Sequence, residues 1–182
     1  MRFEDLNKDT VVFAYQISPD FGKEGDNGGF SLELFGNGNL RFATYKLFDE
    51  ISLLKIFKLN KKETWEIFHV LQKWEHIWRE IPEELDNRDK DAPGNINEFT
   101  FLNWKKIRAY NIKKTFLPGE ALKNRKYYMQ YRDTMKYENQ VIQIFEEICK
   151  LLKRKEINLS LKKCKINEKC KVKVTWIDKT KE

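Results

Sequence analysis

The chain has 182 residues, 35 basic against 28 acidic side chains and a formal net charge of +7. Hydrophobic residues make up 41% and aromatics 14%, enough apolar area to offset chain entropy, so a disordered chain is excluded. The longest uncharged run, Thr10–Pro19, has ten residues, half of the about 20 that a bilayer-spanning helix needs.

In chain order, the first element is a strand over Val11–Ser18, where Val11, Phe13, Tyr15 and Ile17 alternate with Val12, Ala14 and Gln16. A polar loop follows, and then the clearest local signal, a hairpin from Phe30 to Leu47 turning at Asn37-Gly38. A two-residue turn there sets Leu34 against Arg41, Leu32 against Ala43 and Phe30 against Tyr45. Phe35, Leu40 and Arg41 break that alternation, so a bulged turn with a shifted register is the competing arrangement. Ile51–Leu59 reads as a third strand. Asn60 with Glu63 gives capping-box spacing for a helix over about 61–81, whose apolar residues Ile67, Val70, Leu71, Trp74, Ile77, Trp78 and Ile81 recur at three and four.

Pro82 ends that helix, and residues 82–98 read as a long polar loop. Phe99–Leu102 and Lys106–Ile112 form a second expected hairpin. A second helix is expected over about 124–154, with a stripe of Val141, Ile142, Phe145, Ile148, Cys149 and Leu152, and with Asp133 or Asn139 as points where it could divide. Cys170, Val172, Val174 and Trp176 alternate with Lys171, Lys173 and Thr175 as a terminal strand, expected to pair near Leu159-Leu161. Hairpin-linked strands with two inserted helices imply an α+β fold: a mainly antiparallel sheet with two amphipathic helices packed on one face. Length and the absence of a linker imply one domain over 1–182 with a basic C-terminal segment, 150–182.

The start of the chain, with Glu4, Asp5 and Asp9 and no following apolar stretch, does not read as a secretory signal. Three cysteines, Cys149, Cys164 and Cys170, are too few and too uneven for a disulfide scaffold. The expected location is therefore the cytoplasm, with the thiols reduced.

No motif supplies a catalytic or cofactor site. His69 and His76 lie seven apart, about two helical turns, too far to share one tetrahedral ion. Cys164 and Cys170 have neither a second cluster nor a nearby histidine. A calcium-loop register starting at Asp89 has Asp91 and Gly94 in place but Pro93 and Thr100 where ligands belong. Gly36-Asn37-Gly38 meets Arg41 where a dinucleotide fingerprint needs a third glycine, and Gly22-Lys23 lacks the earlier glycine of a P-loop. No cofactor and no metal are expected.

Charge is unevenly spread. Residues 121–182 carry 17 basic and 8 acidic groups, so the positive excess lies in the last third. The small Lys- and Asn-rich α+β layout resembles small cytosolic bacterial proteins, some of which are immunity proteins or inhibitors of one protein partner; that likeness is one of layout and carries no residue across. The leading expectation is a non-enzymatic module that binds another protein through the 82–98 loop, at Asp86, Arg88, Asp89, Asp91 and Asn95. The alternative is a nucleic-acid binder using Lys162, Lys163, Lys165, Lys169, Lys171 and Lys173, with Tyr127, Tyr128, Tyr131 and Tyr137 upstream as stacking candidates. A third is an enzyme whose site is assembled from distant residues.

Overall fold

In the computed structural model the strand expected first forms as β1 (Val11–Pro19) and the hairpin as β2 (Phe30–Phe35) and β3 (Asn39–Tyr45). The structure describes residues 2–19, 29–45, 51–85, 95–110, 125–154, 157–161 and 172–176. After β3 come β4 (Ile51–Lys58), α1 (Lys61–Lys73), α2 (Glu75–Trp78), β5 (Glu84–Leu85), β6 (Asn95–Phe101) and β7 (Lys105–Tyr110). They build a seven-stranded sheet in the order β4-β3-β2-β1-β6-β7-β5, antiparallel except where β5 runs parallel to β7. This is an α+β fold. By its internal contacts the chain divides into two units, Met1–Ile112 and Lys113–Glu182.

The hairpin corrects the two-residue turn by one position. Leu34 pairs with Leu40, Leu32 with Phe42 and Phe30 with Thr44, so Gly36, Asn37 and Gly38 form a three-residue connection. Gly38 has φ +83°, and a Cβ on it would stand 2.3 Å from the Leu59 carbonyl oxygen. The Leu59 N–H donates to the Gly38 carbonyl (2.8 Å), tying the turn to the start of α1. The shift moves Leu40 and Phe42 onto the apolar face and sets Arg41 opposite Glu33 on the other, with Nη1 2.8 Å from Oε2. Because side chains alternate, one residue of slip decides which set is buried.

The buried face runs across the sheet through Leu40, Phe42, Leu32, Leu34, Phe13, Tyr15, Phe99, Phe101 and Ile107, all nearly inaccessible to water. Tyr15 stacks on Phe99 with centroids 4.9 Å apart and meets Phe30 edge-on at 5.6 Å. α1 and α2 cover this face through Ile67, Phe68, Leu71 and Trp78, all buried, with the Trp78 ring 5.8 Å from Phe101.

Helix α1 starts with the expected box: Asn60 Oδ1 accepts from the Glu63 N–H at 3.0 Å, and Glu63 Oε2 accepts from the Asn60 N–H at 2.9 Å. The continuous helix to Ile81 is corrected. Trp74, at φ −97° and ψ 7°, interrupts it, and α2 spans only Glu75–Trp78. The Trp78 indole N–H donates to the Leu71 carbonyl (2.7 Å), so a buried ring satisfies a backbone acceptor at the interruption. Apolar spacing is unchanged by such a break, which is why periodicity did not show it.

The polar loop over 82–98 is also corrected. Glu84–Leu85 pairs with β7, and Asn95–Glu98 belongs to β6, paired with both β1 and β7. Asn97 points into the core, where its Oδ1 accepts from the Tyr15 hydroxyl at 2.7 Å. A partnered asparagine is admissible inside a sheet, although its residue type signals a loop.

In the second unit α3 (Arg125–Arg154) is unbroken at Asp133 and Asn139. Its buried stripe is Val141, Ile144, Phe145, Ile148 and Leu152, with Ile142 and Cys149 half-buried. β8 (Ile157–Leu161) and β9 (Val172–Trp176) pair antiparallel with Leu159 opposite Val174, as the alternating pattern implies. No described helix is long and apolar enough to cross a membrane.

Two substitutions test the turn and the cap. Gly38→Ala is expected to cost more than about 1 kcal/mol, because the positive φ and the Leu59 carbonyl both oppose a Cβ. Asn60→Ala is expected to cost about 1 kcal/mol through loss of the cap. Urea denaturation with unchanged slope reads both.

Candidate functional site

The connection between β6 and β7 is Leu102, Asn103 and Trp104. Leu102 has φ +50° and Asn103 φ +65°, two successive left-handed residues without a glycine. Asparagine accepts that conformation readily; for leucine it costs on the order of 1 kcal/mol. The Leu102 side chain is buried and its N–H donates to the Val12 carbonyl at 3.0 Å, so burial and a backbone bond hold the strained turn. The outcome is to present Trp104, half exposed at 50%.

Trp104 does not stand alone. Its ring lies 5.1 Å from that of Trp78 at 60°, and the Arg79 guanidinium sits 4.9 Å above the Trp104 centroid. Arg79 is aimed by Glu75 one helical turn earlier: its Nε donates to Glu75 Oε1 at 2.9 Å, and its Nη2 bonds the same oxygen. The interruption at Trp74 and the strained turn thus bring together an exposed tryptophan, an arginine stacked on it and a carboxylate holding the arginine. A cation over an indole contributes about 0.5–1 kcal/mol where water has access, which favours this arrangement of Arg79 and Trp104.

Among the described residues other charged side chains form ion pairs. On the sheet face opposite the aromatic core, Arg41 meets Glu33 and Arg108 meets Glu98, each pair in register across neighbouring strands. The Glu98 carboxylate, hydrogen-bonded to Arg108 at 2.7 Å, keeps that guanidinium protonated to a higher pH than usual. His69 stacks flat on Trp65, with centroids 5.0 Å apart. His76 lies beyond the interruption, in α2. Among the described residues no three His, Cys, Asp or Glu side chains are grouped closely enough to hold a metal ion. A shallow hollow beside the start of α1 is lined by Phe3, Leu6, Asn37, Lys58, Leu59 and Lys61, among others. The Asn60 N–H there is already bonded to Glu63 Oε2 within the capping box.

Of the residues expected to contact a protein partner, Asp86, Arg88, Asp89 and Asp91 lie outside the described residues. Asn95 is the first residue of β6, at the end of that strand away from the Leu102–Trp104 turn. Lys162, Lys163, Lys165, Lys169 and Lys171 also lie outside them; Lys173 is in β9, opposite Ser160. Cys164 and Cys170 lie outside them too, as does most of the calcium-like loop, while Thr100 is an ordinary β6 position paired with Ala14 and Lys106. Tyr137, on α3, has the Lys136 ammonium 5.6 Å from its ring centroid.

Sequence reasoning missed Trp104 and Arg79. The signal was slight: an Asn-Trp-Lys-Lys turn between two expected strands, and an arginine near a helix end. A search against protein-family models and against curated protein sequences finds no match to this chain.

The two tryptophans of the cluster should separate in stability. Trp78→Ala is expected to cost about 3–5 kcal/mol, as for other large buried aromatics. Trp104→Ser should cost about 1 kcal/mol or less, since half of its surface is already wet. Chemical denaturation followed by far-UV circular dichroism measures both.

Proposed function

We propose that the chain is a non-enzymatic module that binds another protein, with Trp104 and Arg79 at the centre of the contact. The observation that carries this reading is the half-exposed tryptophan held on a strained turn beneath a stacked, carboxylate-oriented arginine. Tryptophan and arginine are the residues in which interface energy concentrates, because each brings a large rigid surface with a polar handle. Strain at a turn is maintained only where the surroundings enforce it, and it gathers at sites that act. Pre-ordering of the pair lowers the side-chain entropy lost on association.

Asp86, Arg88, Asp89, Asp91 and Asn95 stay in the proposal as further contact residues that steer a charged partner electrostatically. Asn95 and Trp104 stand at opposite ends of the β6–β7 pair, so Asn95 would engage a different part of a partner from Trp104. An immunity or inhibitor role, sequestering one protein, is the form of this reading that the overall layout favours.

Parallel affinity capture from a native lysate with the wild-type chain, Trp104→Ser and Arg79→Ala tests it. The expected result is one protein retained in stoichiometric amount by the wild type. Loss of a hot-spot residue should then weaken that capture by about tenfold or more. Equal recovery on all three baits, or no stoichiometric protein on the wild type, overturns the reading.

A further inference from the structure

Among the described residues the buried polar side chains are Thr10, Ser31, Thr64, Asn97, Lys105 and Glu138. Thr10 bonds to Asn7, Ser31 to Tyr45, Thr64 to the Asn60 carbonyl and Asn97 to Tyr15, and Glu138 has an interaction partner too. Lys105, 8% exposed, is the exception: the described residues place no hydrogen-bond acceptor or ion-pair partner at its ammonium. A lysine is seldom buried unless paired, and burial of its charge without a partner is costly. A group kept in that state points to a ligand that completes it.

Lys105 is the first residue of β7, directly after Trp104, and alternates with Ile107 and Ala109 on the buried face. Across the ladder it faces Phe101, whose ring is 5.8 Å from that of Trp78. Trp78 lies 5.1 Å from Trp104, and the Arg79 guanidinium stands 4.9 Å from the Trp104 centroid and 5.9 Å from that of Trp78. The unpartnered lysine therefore belongs to the same end of the sheet as the tryptophan–arginine cluster. Arg79 directs Nε and Nη2 at a single Glu75 oxygen, which leaves Nη1 to donate elsewhere.

The surroundings decide what kind of anion fits. Glu75, Glu80, Glu83 and Glu84 follow one another along α2 and into β5, the last three exposed, and β5 lies beside β7. A nucleic acid, with a phosphate at every nucleotide, would meet this row of carboxylates as it extended from the site. One carboxylate on an otherwise apolar segment escapes that repulsion, and the half-exposed Trp104 ring offers the flanking apolar contact.

We propose that Lys105 and Arg79 anchor a single carboxylate of a protein partner, an aspartate or glutamate side chain flanked by apolar residues that pack on Trp104. This rests on the reading that the Trp104 cluster is the partner contact, and adds the chemistry of what is recognised there. Arg79 supplies planar N–H donors and Lys105 a compact charge with three donors. Bonds between such ionised groups are stronger than those between neutral ones.

Nuclear magnetic resonance of the isotope-labelled chain reads the site through the Trp104 indole N–H, identified by its loss in Trp104→Ser. The probes are two end-blocked peptides, Leu-Glu-Leu and Leu-Gln-Leu, and a thymidine oligonucleotide. The acidic peptide should shift that resonance saturably, and the neutral peptide should bind about tenfold or more weakly. Lys105→Met keeps the length of the side chain and removes its charge. It should lose the preference for the acidic peptide while raising the urea midpoint, because an apolar side chain replaces an unpaired buried charge. Equal shifts by both peptides, no shift by either, tighter binding of the oligonucleotide at this indole, or a lowered midpoint in Lys105→Met overturns the proposal. In the lysate capture, a protein lost with Trp104→Ser but retained by Lys105→Met removes this inference and leaves the protein-binding reading intact. A saturable acidic-peptide shift without any captured protein does the reverse.

Discussion

The approach of Gly38 to the Leu59 carbonyl is the constraint from which much of the first unit follows. A Cβ has no room there, and the backbone turns through a positive φ. The three-residue connection that results fixes the pairing of β2 with β3. That pairing carries Leu40 and Phe42 to the same face as Phe30, Leu32 and Leu34, extending one apolar surface from β3 through β1 to β6. The bond between the Leu59 N–H and the Gly38 carbonyl then anchors α1 where its buried stripe meets that surface. One glycine thus sets both the sheet register and the seat of the helix that covers it.

The core so formed includes polar atoms that are hydrogen-bonded. The Tyr15 hydroxyl and Asn97 Oδ1 bond within the aromatic layer, and the Trp78 indole satisfies the Leu71 carbonyl. Each of these would cost about 1–3 kcal/mol if buried without a partner. The charged side chains follow the same logic at the surface: Glu33 with Arg41, Glu98 with Arg108, Glu75 with Arg79. Exposed pairs of this kind contribute little to stability. Their consequence is orientation, and of these three pairs that of Arg79 sets its charge over an exposed aromatic ring.

Chemistry and recognition make different demands on a fold. Among the described residues the charged pairs named above lie across strands or along helices, and large exposed apolar side chains lie on β4 and at Trp65 and Trp104. The proposed contact with a partner rests on the cluster that the β6–β7 turn presents, Trp104 with Arg79 over its ring.

By itself the sequence determined what depends on local chemistry and periodicity. Alternation placed β1 and the β8–β9 pairing, Asn60 and Glu63 placed the start of α1, the 3.6-residue spacing gave α3, and the turn glycines gave the hairpin. Together these were sufficient for an α+β fold with an antiparallel sheet. The tertiary structure decided everything that rests on a neighbour distant in the chain. Leu59 selected the hairpin register, Trp78 bonding back to Leu71 accompanied the division of one helix into two, and Tyr15 made Asn97 a core residue rather than part of a loop. The Trp104 cluster belongs to this second group. Its tryptophan and arginine are 25 residues apart, and only the folding of α2 onto the end of β6, driven by burial of Trp78 against Phe101, sets one ring beneath the other's charge.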